Sequence, residues 1–92
     1  MHEEQRIKEL DDELLTLGPE THVLETQTIP THVKHCRALR QAGRHQDADA
    51  LADKIEKLTD KMRSNKQRLR EIEDELYPLR ARLHRRKPIL RP

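Results

Sequence analysis

A chain of 92 residues with 33% hydrophobic residues, one tyrosine, no phenylalanine and no tryptophan holds too little apolar material for a large compact core and allows a single domain. Its 19 basic and 17 acidic residues, together 39% of the chain, read as elongated helix rather than disorder. A lone cysteine, Cys36, excludes an intrachain disulfide, and no stretch approaches the ~18 apolar residues of a membrane span or forms the apolar centre of a signal peptide. The expectation is therefore a soluble intracellular protein, cytoplasmic by default or nuclear, with no membrane contact.

In chain order, Ile7, Leu10, Leu14 and Leu17 are spaced by three, four and three residues, which predicts a short amphipathic helix over residues 1–17. Gly18 and Pro19 should end it. The threonine-rich stretch that follows shows no helical period, so residues 18–30 are expected to form an extended linker. A second helix should begin at Pro30 or Thr31, because proline suits a first turn and Thr28 or Thr31 can cap it, and should run to Ala42, where Gly43 stops it.

Small residues around that stop, Ala38, Gly43, Ala48 and Ala52, predict an αα-hairpin over residues 31–83. Its second arm, a long helix over about residues 45–83, carries heptads with a = Ala48, Ile55, Met62, Leu69, Leu76, Leu83 and d = Leu51, Leu58, Asn65, Ile72, Leu79. Pro78 lacks the N–H that would bond to Asp74, so a kink is expected near Tyr77. Residues 84–92 read as a basic tail.

The fold class that follows is all-α: a short N-terminal helix, an extended linker, and a helical hairpin whose second arm is a coiled-coil helix. A narrow apolar stripe needs a partner, and a homodimer is expected, with Leu51, Ile55, Leu58, Met62, Asn65, Leu69, Ile72, Leu76, Leu79 and Leu83 as its interface. Charges at positions e and g do not orient it, since parallel and antiparallel homodimers each gain and lose pairs worth about 0.5 kcal/mol. Asn65 favours the parallel arrangement, in which two such side chains meet and bond; in the antiparallel one each lies against Leu76 with its amide poorly satisfied. The competing arrangement is a monomer of three helices, in which the 13-residue linker lets the first helix fold back and bring Ile7 to Leu17 beside Met62 to Leu76.

Charge is unevenly distributed. Residues 1–17 hold six acids against Arg6 and Lys8, whereas residues 79–92 hold Arg80, Arg82, Arg85, Arg86, Lys87 and Arg91 with no acid. Either the acidic first helix and the basic tail meet each other within or between subunits, or the tail meets a polyanion. The latter gives the main alternative function, a dimer that binds DNA or RNA non-specifically through its basic tail, although a single tyrosine leaves almost nothing for base stacking. The basic run Lys34 to His45 ahead of the heptads resembles a leucine-zipper DNA reader. Ile29 stands where the base-reading Asn belongs, however, and Gly43 interrupts the helix.

His32 and Cys36 share a helix face at i, i+4, but their spacing matches no zinc module, so surface histidines and no metal or other cofactor are expected. No phosphate loop, no nucleophile with a placed base and no small-molecule pocket argue against an enzyme. The functional expectation is an assembly or adaptor module that binds itself or another helical protein. A further alternative is a small inhibitor or subunit that docks on a larger protein.

Overall fold

The computed structural model describes residues 2–86. All of them are helical except the turn at 42–44, and no strand occurs among the described residues. The molecule is extended, 70 × 26 × 15 Å, with two long helical arms lying side by side. None of its described helices is long and apolar enough to cross a membrane.

The first arm overturns one expectation: residues 18–30 are helical, and no extended linker exists. Helix α1 spans His2–Val23, a π-helical turn spans Leu24–Thr28, and α2 follows directly over Ile29–Gln41. Gly18 and Pro19 stay inside α1, and among the described residues none but Gly43 has a positive φ. Placing glycine and proline in a helix interior costs about 1 and 3 kcal/mol respectively. Burial offsets this cost. From Leu17 the spacing of three and four continues through Thr21, Leu24 and Thr28 once threonine is admitted as an inward residue. Thr21 and Leu24 are both buried against the second arm's side of the molecule, and the Thr21 hydroxyl donates to the Leu17 carbonyl at 2.6 Å instead of facing an apolar surface unpaired.

The π turn has a local cause in Pro30. A proline ring presses on the carbonyl four residues earlier and offers no N–H, so a helix entering it must widen or bend. Here Ile29 N–H donates to the Leu24 carbonyl, five residues back, which adds one residue to that turn. That extra residue resets the inward face. Before it, the inward positions are Ile7, Leu10, Leu14, Leu17, Thr21, Leu24 and Thr28; after it they are His32, Cys36 and Leu39, all partly shielded.

The turn follows the left-handed glycine cap. Gly43 has φ +77°, Gly43 N–H donates to Arg40 O at 3.1 Å, and Arg44 N–H donates to Leu39 O at 2.9 Å. Helix α3 then spans His45–Arg86, 42 residues or about 63 Å, with Asp47 in its first turn bonded by Arg44 at 2.8 Å. The helix continues through Pro78, whose neighbours Leu76 and Leu79 are both buried. Ion-pair partners on the two arms run in opposite order along the chain, so the arms are antiparallel.

The core is small and sits towards the end away from the turn. Leu10, Ile72, Leu76 and Leu79 form it, with Ile7, Leu14 and Leu17 packed around them. Near the turn the arms approach through Ala48, which is fully buried, and the Cys36 thiol donates to the Ala48 carbonyl at 3.3 Å.

Candidate functional site

The residues expected at a dimer interface lie, within one chain, against its own first arm. Ile72, Leu76 and Leu79 are buried, and Leu51, Ile55, Leu58, Met62, Asn65, Leu69 and Leu83 are half-buried. The first arm can do this because its helical residues 18–30 give it the same reach as α3. Asn65, expected to meet its own copy, donates from Nδ2 to Glu20 Oε1 at 3.4 Å within the chain.

Both charged flanks of α3 pair with the first arm, and the g edge does so with heptad regularity. Along the g edge, Glu75, Arg68 and Lys61 meet Arg6, Glu13 and Glu20, two series that each step by seven residues and are complementary at every rung. Two rungs are bidentate: Arg6 grips both oxygens of Glu75, with Nη2 donating at 2.9 Å, and Arg68 grips both oxygens of Glu13, with Nη2 donating at 2.8 Å. The third, Lys61 to Glu20, is 2.9 Å long. Bonding to Arg68, Lys61 and Arg6 respectively holds the carboxyls of Glu13, Glu20 and Glu75 below their ordinary range, Asn65 adding to the effect at Glu20. The same contacts hold the Arg6 and Arg68 guanidinium groups more firmly protonated.

Along the e edge the pattern breaks. Arg80 pairs with Asp11 and Lys66 pairs with Glu25, but the middle rung would join Glu73 to position 18, which is Gly18. A Cβ built on Gly18 would have nothing within 4 Å, so the space beside it is open. A shallow groove of about 610 Å³ lies on this edge, lined by Leu14, Glu73, Leu76, Tyr77, Arg80, Ala81 and His84. Tyr77 on its rim is 80% exposed, and Leu15, which the helical spacing places on the same edge of α1, is 74% exposed. These are the two most exposed large apolar side chains among the described residues, and on the register of the ion pairs Asp11 to Arg80 and Glu25 to Lys66 they fall within one residue of opposite each other.

The remaining expected sites separate. In the basic segment Arg80 is engaged by Asp11, Arg82 and Arg85 are exposed, and the side chain of Arg86 together with Lys87 and Arg91 lies outside the described residues. His32 and Cys36 are half-buried between the arms and His35 and His45 are exposed; among the described residues no group of three metal-ligating side chains converges. What the sequence reading missed is the acidic series Glu13, Glu20 and Glu25 as partners of α3, and the pair Leu15 and Tyr77. The seven-residue spacing of 6, 13 and 20 against 61, 68 and 75 was the available signal. No protein-family model matches the chain, and no curated protein or solved structure matches it.

Proposed function

We propose that this chain is a non-catalytic assembly module, an antiparallel coiled-coil hairpin that closes its heptad seam internally and binds a protein partner on its e edge. The observation that carries the reading is the coincidence on one edge of a missing ion-pair rung, an open groove, and exposed Leu15 and Tyr77. Exposed large apolar side chains that cluster beside a groove mark interaction surfaces, whereas single scattered ones do not.

This reading revises the parallel homodimer expected from the stripe alone. Such a dimer would use Leu51 to Leu83 between chains and would have to displace the first arm. The cost would include the core around Leu10 and the six ion pairs between the arms among the described residues. Asn65 then serves the hairpin's own register, through Glu20, instead of a match between copies.

The test is site-specific photo-cross-linking in cells that express the chain. A photoreactive phenylalanine analogue in place of Tyr77 should give a protein adduct. The same analogue in place of Asp60, exposed on the outward face of α3, should give none. Equal labelling from both positions, no adduct from position 77, or an adduct that contains nucleic acid in place of protein overturns the proposal.

A further inference from the structure

Resting on that reading, we propose that the partner on the e edge is a second copy of this chain, laid alongside with both turns at the same end, so that α1 of each copy lies on α3 of the other. The argument is that this edge is complementary to itself. On α1 it presents Asp11, Leu15 and Glu25; on α3, at the same levels, it presents Arg80, Tyr77 and Lys66, and within one chain Asp11 already meets Arg80 and Glu25 already meets Lys66.

A two-fold axis parallel to the rod preserves both the levels and the antiparallel sense of facing helices. It sets Asp11 of one copy beside Arg80 of the other, Glu25 beside Lys66, and Leu15 beside Tyr77. Each intrachain ion pair then becomes part of a ring of four alternating charges. One ring lies above and one below a layer made of two Leu15 and two Tyr77 side chains, the groups left 74% and 80% exposed in the single chain. Gly18 lies beside this layer with open space where a side chain would project, which leaves room for the tyrosine ring of the other copy.

Pointing the rods in opposite directions does not work. With the two-fold axis across the rod at Gly18, Asp11 faces Glu25 and Lys66 faces Arg80, so every charged contact is between like charges, which is strongly disfavoured at an interface. The e edge therefore selects one arrangement of its own copy. From Asp11 to Glu25 the contact is about 21 Å long, short of a standard interface of about 800 Å² per partner, so the association is a weak one, favoured at high protein concentration.

The experiment uses full-length chains carrying Cys36→Ala, one with Leu15→Cys and one with Tyr77→Cys, mixed at high concentration under a mild thiol oxidant. The expected result is a disulfide-linked dimer from the mixture and its loss when either variant is incubated alone. Sedimentation of the unmodified chain should show the mass rising from 10.9 kDa towards twice that value with concentration. Gly18→Lys, which fills the open space and offers Glu73 a partner, should abolish that rise while keeping full helicity. Cross-linking of Leu15→Cys to itself overturns the arrangement, and a folded chain that stays at monomer mass overturns the second copy. A photo-adduct from position 77 to a different protein would leave the interaction reading standing without the self-association.

Discussion

The position of Leu10 offers the sharpest check on how the two arms meet. Its side chain is fully buried among Ile72, Leu76 and Leu79, with Ile7, Leu14 and Leu17 around it, and it is the only fully buried leucine contributed by the first arm. Leu→Ala in a core costs about 2–5 kcal/mol, the spread depending on how far the site can collapse. In a rod only two helices thick water and neighbouring side chains can partly refill the space, so a loss of about 2–3 kcal/mol is expected for Leu10→Ala. A chain of this length has about 5–14 kcal/mol of total stability, and so thin a core places it near the lower end. The substitution should therefore remove roughly a third to a half of its stability and lower the melting temperature by about 10–20 °C. Urea and thermal unfolding followed by helical circular dichroism measure this directly. Leu15→Ala, five residues on and outside the core, should change stability by less than about 0.5 kcal/mol. If Leu10→Ala proves neutral, or if Leu15→Ala costs as much, the first arm does not dock on α3 through the face described.

Charge reversal tests the g edge independently. Arg68→Glu should destabilise the chain by setting two acids against each other, and adding Glu13→Arg should restore much of the loss, whereas Glu13→Arg combined with intact Arg68 should not. Gly43→Ala should cost about 1 kcal/mol, because φ +77° is strained for any residue with a Cβ, even though the space around it is open. In acid, Glu13, Glu20 and Glu75 have carboxyl pKa values depressed by their basic partners in the folded chain. Their contribution is thus fully present above the unfolded carboxyl pKa of about 4.3 and is lost as pH falls through the lower folded values. The melting temperature should fall below that pH and lie flat from about pH 5 to 7, and raising the salt concentration should blunt the acid effect.

The linker expectation failed for a reason visible in particular residues. Gly18, Pro19, Pro30 and the threonines between them are each poor helix formers, and local propensity therefore argued for extended chain. Propensity is a small term beside packing. Thr21 and Leu24 are buried, Glu20 and Glu25 find Lys61 and Lys66, and Pro30 is accommodated by one widened turn. The burial and the ion pairs exist only once α3 lies alongside, so no window of the sequence taken alone could register them.

The sequence by itself determined the helical class, the sharp turn at Gly43, and the heptad period of α3 from Ala48 to Leu83, because periodicity and glycine's access to positive φ are local properties. It also contained both complementary charge series, at 6, 13 and 20 and at 61, 68 and 75. Only the tertiary structure brought the chain's own first arm against the stripe. That contact rests on the reach of the first arm, whose thirteen residues from 18 to 30 are helical. Once the arm lies in register, the unpaired rung at Gly18 and Glu73 and the exposed Leu15 and Tyr77 fall on one edge, a coincidence that separations of up to 62 positions along the chain concealed.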